Sequence, residues 1–215
     1  MNPTPEKTSV MAPFILMLFL YFIVGLFTVI NQQFQVPLKS ALLPHDGNMT
    51  NALVTLLNFS WFLAYPFSEG FATRWVDRLG YRKTSVYSLL IFIAGLGFYE
   101  AAVLLHIYAP SYITIMGNPI FTGFFIFLSG SFVIGMAVTI LQVVTGLYLD
   151  VNPVGKTTPL QRQMIGGTTN SIGMAIGPLV VSYIIFYGIP LHNVQSREFI
   201  WPVICLIAII CIFTL

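Results

Sequence analysis

The residues with most chemistry to offer in this chain are amides set among apolar neighbours. Thr28, Asn31, Gln32 and Gln35 fall on one side of a helix, within an arc of about 100° at about 100° per residue. Gly135, Thr139, Gln142 and Gly146 fall within about 60° by the same count. Asn58, Trp61, Phe62 and Tyr65 share a third face, and Gly166, Asn170, Gly173 and Gly177 a fourth. An amide without a partner is expensive in hydrocarbon. It both donates and accepts hydrogen bonds, as a hydroxyl does. Asn31, Gln32, Gln35, Asn58, Gln142 and Asn170 therefore suit a wet cavity that binds a neutral, hydroxyl-rich solute. Trp61 and Tyr65 offer aromatic faces to the apolar side of a sugar ring. Each face also has a plainer use: small residues four apart let helices approach closely in lipid, and amides glue helices together.

Carboxylates are scarce. Glu100 is the only charged residue between Lys83 and Asp150, and an acid inside a membrane is a candidate for ion coupling. It lies near the outer end of its apolar run, where water is in reach. Glu69 and Asp150 fall at the inner ends of theirs, where pairing with loop cations is expected. The apolar runs contain no metal-ligand spacing and no nucleophile–base pair, so neither a metal, a cofactor nor an enzyme activity is expected. Cys205 and Cys211 point to different sides of one helix, which argues against a mutual disulfide.

The elements that must position these groups are membrane spans. Of 215 residues only 7% are charged and 57% are hydrophobic, against about 25% charged in a soluble domain. Mean hydropathy is +0.86. Too few polar groups are present to cover a soluble domain of this size, and the same arithmetic excludes disorder and nucleic-acid binding. A bilayer crossing needs about 20 apolar helical residues. Six runs qualify, approximately 13–36, 52–73, 84–105, 120–149, 163–189 and 199–215. Pro110 and Gly117-Asn118-Pro119 separate the third from the fourth. The expected fold is all-α and integral to the membrane, with the lipid bilayer as solvent. With the N-terminus inside, the inner segments carry Lys7, Arg74, Arg78, Arg82, Lys83, Lys156 and Arg162, and the outer ones Lys39 and Arg197. This bias places the N-terminus in the cytoplasm. His45, His106 and His192 fall outside as ordinary surface residues. The last run is still apolar at Leu215, so a longer natural chain is expected.

The inner loop between the second and third runs reads Asp77-Arg78-Leu79-Gly80-Tyr81-Arg82-Lys83. Gly80 permits a tight turn, the three cations hold the loop at an anionic surface, and Asp77 can meet a cation or a helix N-terminus as helices rock. This loop resembles the signature of the major facilitator superfamily, transporters of two six-span halves. The family pattern has a glycine four residues before the aspartate; Thr73 stands there, with Gly70 nearby. The resemblance implies an N-terminal half with a 3+3 inverted repeat. Its partner would be a C-terminal half, and Asp77, Arg78, Gly80, Arg82 and Lys83 would form its gating loop.

A narrower resemblance is to the fucose–proton symporters. It is carried by Gly25-Leu26-Phe27-Thr28-Val29-Ile30-Asn31-Gln32, Pro37-Leu38-Lys39-Ser40, the run from Gly135 through Gln142 to Pro153, and Arg162 with Asn170-Ser171-Ile172-Gly173 and Gly177-Pro178-Leu179. It implies a sugar permease in a cell membrane, such as a bacterial inner membrane. Proton-coupled members carry carboxylates where Gln32 and Gln142 stand, and a glutamine where Gly167 stands. A glutamine cannot take up a proton, so this half lacks the usual relay. Transport of a small neutral solute by alternating access is the expected function. The alternative is a sugar receptor derived from a permease that no longer transports.

Overall fold

The computed structural model describes residues 11–43, 48–115 and 117–214. Its elements are α1 (Met11–Gln33), α2 (Gln35–Leu42), α3 (Asn48–Tyr108), β1 (Tyr112–Ile115), β2 (Asn118–Phe121), α4 (Gly123–Val151), α5 (Pro159–Leu179) and α6 (Ile200–Thr214). A π-helical stretch, Val180–Ile185, continues α5. Four helical stretches are long and apolar enough to cross a membrane: Met11–Lys39, Thr50–Tyr108, Gly123–Val151 and Pro159–Ile185.

The two runs expected at 52–73 and 84–105 are joined in α3, 61 residues long. Straight, it would reach about 90 Å, three times the hydrocarbon thickness. It is not straight. Gly80 takes φ 77° and ψ 169°, a conformation that costs glycine little and other residues much. The chain folds back there, and both limbs pack on α4. Thr84 Oγ1 donates to the Gly80 carbonyl at 2.9 Å and ties down the turn.

Other boundaries shift for local reasons. The first run ends at Gln33, and after Phe34 the chain restarts as α2, occupying part of the expected outer loop. Residues 118–121 belong to a hairpin rather than to the fourth span; β1 and β2 pair antiparallel, with Gly117 in the turn at φ 80°. The fifth run starts at Pro159, behind a capping box. There Thr158 Oγ1 accepts from the Gln161 amide, and Gln161 Oε1 accepts from the Thr158 amide. Pro178 lacks an amide proton, and just beyond it the helix loosens to i→i+5 bonding, Phe186 N to Val181 O at 3.0 Å. The sixth run is helical over the 15 residues Ile200–Thr214.

Packing follows two lines. α1 lies against α5, and α4 fills the centre against both limbs of α3. Small residues set the spacing. A side chain on Gly135 would press on the Trp61 carbonyl at 2.6 Å, and one on Gly130 would meet Tyr99 and the Gly95 carbonyl. Hydroxyls add interhelical bonds, Ser60 to the Leu128 carbonyl at 2.9 Å and Ser88 to that of Ala137. Large apolar side chains face outward on α1, α3, α5 and the stretch that continues α5, among them Ile15, Phe59, Phe67, Ile172 and Ile184. So much exposed apolar surface fits lipid rather than water.

Candidate functional site

The amide face of α1 divides by depth. Asn31 is 4% exposed, while Gln32 is open to the surroundings and Gln35, on α2, is half-buried. Thr28 spends its hydroxyl on the Val24 carbonyl of its own helix. Asn31 points into the core of the bundle, where its Oδ1 accepts from the Tyr99 hydroxyl at 3.0 Å. Ser131 Oγ lies 3.3 Å from the same oxygen and 3.1 Å from the Leu57 carbonyl. The amide thus links α1 to the second limb of α3, and Ser131 of α4, with one proton to give, stands between the amide and the first limb. Phe127 stacks on the Tyr99 ring at 3.7 Å and holds the phenol in place. Removing the phenol proton with Tyr99→Phe leaves Asn31 Oδ1 with Ser131 alone. The expected cost is about 1 kcal/mol, read as a lower melting temperature in detergent.

A second polar group lies one turn further along. The Tyr65 hydroxyl donates to Gln142 Oε1 at 3.4 Å, bridging the first limb of α3 to α4. It also faces the side chains of Trp61 and Thr28. Tyr65 and Gln142 are each half-buried, which leaves the Gln142 amide nitrogen free to donate. Trp61 is 1% exposed, and its Nε1 finds no acceptor. Asn31 Nδ2 is likewise buried without an acceptor, and so is Asn58 Oδ1 without a donor. Asn31 and Trp61 together line a cavity of about 10 Å³, room for one water.

The structure therefore brings Asn31 and Trp61 together, and Tyr65, Gln142, Trp61 and Thr28 together, while no bond from Gln32 or Gln35 reaches either group among the described residues. Asn170 is committed elsewhere. Its Nδ2 donates to the Tyr21 carbonyl at 3.0 Å, and its backbone presses on Gly25. The face of Gly166, Asn170, Gly173 and Gly177 is a packing surface for α1, the plainer of its two readings. Glu100 is half-buried, with Oε2 enclosed and unpaired.

In the loop after the first limb, Asp77, Arg78, Arg82 and Lys83 are exposed and Gly80 makes the turn. Tyr81 meets Tyr148 of α4 edge to face at 5.4 Å, so the loop sits at the α4 terminus. Asp150 at that terminus accepts from Gln163 Nε2 at 2.9 Å instead of pairing with a cation. Cys205 and Cys211 are free thiols. His106 is not a simple surface residue: its Nδ1 lies 2.8 Å from Ser196 Oγ, and its ring stands on Phe121. His192 is exposed, and His45 lies outside the described residues.

Among solved structures, the chain is similar to the xylose transporter XylE from E. coli in its inward-open conformation, with a TM-score of 0.60, 14% identity and 94% of this chain covered. The two share a fold over that stretch. The chain spans 47% of the length of XylE. No family model matches the sequence. No curated protein matches it either. The shared architecture is that of a multi-pass membrane protein, in keeping with the four long apolar helices.

Three residues that hold these groups in place are poorly signalled by the sequence. Tyr99 and Ser131 sit in apolar runs and are 68 and 100 residues from Asn31. Their one sequence signal is a hydroxyl at a position that helical phase turns inward. Arg162 has a stronger signal, a cation at the head of an apolar helix, but its role as a clamp depends on where α4 ends.

Proposed function

We propose that this chain is the N-terminal half of a transporter that carries a small neutral solute, a sugar, by alternating access. The observation that carries this reading is the Tyr65–Gln142 pair beside Trp61. It places a phenol, an amide with protons to spare and an indole together at mid-helix, with the Glu69 carboxylate one turn away from the phenol. Such a set recognises hydroxyls and a ring face. The likeness to a xylose transporter supports the fold in which such a group faces a central cavity. Gln32 and Gln35 would join from the rim. Asn31 would act from behind, by fixing α1 against Tyr99. Six crossings, a C-terminal half supplied by the natural chain or a second one, an inner-membrane location and a cytoplasmic N-terminus complete the reading.

The test is uptake of a panel of labelled monosaccharides by cells expressing the natural gene. Gln142→Ala and Tyr65→Phe should each lower uptake of the transported sugar about tenfold or more, the loss of one to two hydrogen bonds to substrate, with surface expression unchanged. Undiminished uptake in the double variant would remove the pair from the site. Binding without flux in proteoliposomes would point to a receptor instead. With amides in place of acids, transport through this half needs no proton. A sugar pulse should therefore leave external pH flat, and substrate-linked alkalinisation would contradict the assignment.

A further inference from the structure

At the end of the bundle that carries the hairpin, two open hollows flank one arginine. The first, about 350 Å³, is bordered by His106, Ser196 and Arg197. The second, about 390 Å³, is bordered by Tyr108, Arg197, Ile200 and Trp201. Arg197 belongs to both. Among the described residues its guanidinium has no hydrogen bond or ion pair, because its acidic neighbour is occupied: Glu198 Oε2 accepts from the Gln195 amide at 2.7 Å. The floor is rigid. Ser196 Oγ bonds the Ala41 carbonyl at 3.0 Å and His106 Nδ1 at 2.8 Å, which ties α2, α3 and the segment before α6 together.

The two hollows differ in character. The first has hydroxyl and imidazole groups at its base. The second has the Tyr108 ring and an apolar wall of Ile200 and Trp201. Tyr108 and Trp201 are 79% and 68% exposed. Amphipathic rings standing open at helix ends mark the headgroup level of a bilayer. A free cation at that level, with a polar recess on one side and an apolar wall on the other, complements an amphiphile with a negative head. We propose that Arg197 and its two hollows bind the phosphate headgroup of an anionic phospholipid, its acyl chain running along Ile200 and Trp201. This site is independent of the transport reading.

The same phosphate chemistry is present in free phosphate, and the experiment separates the two. The full chain is placed in nanodiscs of mixed phosphatidylglycerol and phosphatidylcholine, then released, and its retained lipid is counted by native mass spectrometry. The parent should retain phosphatidylglycerol in preference. Arg197→Gln should lower that preference about fivefold, the effect of one surface cation, and Arg197→Lys should restore most of it. Trp201→Ala should shorten retention of the lipid, whereas Lys156→Gln, an exposed cation elsewhere, should change nothing. Equal retention of both lipids by the parent, or an Arg197→Gln variant indistinguishable from it, would overturn the proposal. Complete displacement by millimolar inorganic phosphate would also overturn it, by assigning the site to the free ion.

Discussion

Replacing Gly173 by valine should prevent α1 and α5 from closing on each other and leave little folded protein. A β-carbon at this position collides with the Phe22 carbonyl oxygen and crowds the Leu26 amide at 3.0 Å. Both obstacles are backbone, so no rotamer change relieves them, and the helices must move apart. Gly25 across the interface is in the same position, facing the Asn170 carbonyl. Separating the helices would also break the bond from Asn170 Nδ2 to the Tyr21 carbonyl. Overpacking usually costs about 1–3 kcal/mol and more where nothing can yield; about 3 kcal/mol or more is expected here. Gly167 lies on the same helix with open space around it, so Gly167→Ala should be neutral or slightly stabilising through helix propensity. Fluorescence-detected gel filtration and melting in detergent would check the pair. A Gly173→Val variant as monodisperse and heat-resistant as Gly167→Ala would show that the α1–α5 contact is looser than the structure has it.

Arg162→Ala should be the second severe lesion. Arg162 is 2% exposed although charged. Its Nε donates to the Leu149 carbonyl, one Nη to the Asp150 carbonyl at 2.8 Å, and the other to the Thr157 carbonyl at 2.8 Å. Two of these acceptors are end carbonyls of α4, which have no partner within their own helix. The negative end of the helix dipole adds to the attraction. One side chain near the head of α5 thus caps the tail of α4 and gathers the loop between them. Removing it leaves three carbonyls short of a donor, for an expected loss of about 3 kcal/mol and faster proteolysis within residues 152–158. Arg162→Lys should recover less than half, because an ammonium cannot reproduce the planar fork. A melting temperature unchanged in Arg162→Ala would show that water serves these carbonyls equally well.

The membrane character of the chain was legible because it depends on composition. Sixteen charged residues in 215 cannot cover a soluble domain, whatever the order of the chain. The turn at Gly80 was legible for the same kind of reason, since a positive φ is a local demand that one residue type meets cheaply. The glycine face of α5 could be read as either a ligand face or a packing face. Periodicity told which residues share a side but not what lies opposite. The structure put Phe22, Leu26 and Val29 there, leaving a bound solute no room.

The polar groups show the limit more sharply. Helical phase placed Asn31, Gln32 and Gln35 on one arc, yet a 100° arc spans both the core and the exterior of a bundle. Of the three, Asn31 is enclosed, Gln32 exposed and Gln35 half-buried. Partners such as Tyr99 and Ser131 are distant in sequence, so only the folding back of α3 onto α4 brings them to Asn31. The sequence by itself determined the solvent and the turn at Gly80, because those follow from composition and from one local backbone demand. Only the tertiary structure decided which amide is enclosed and which is free to meet a solute, because burial depends on the neighbours that close over a face.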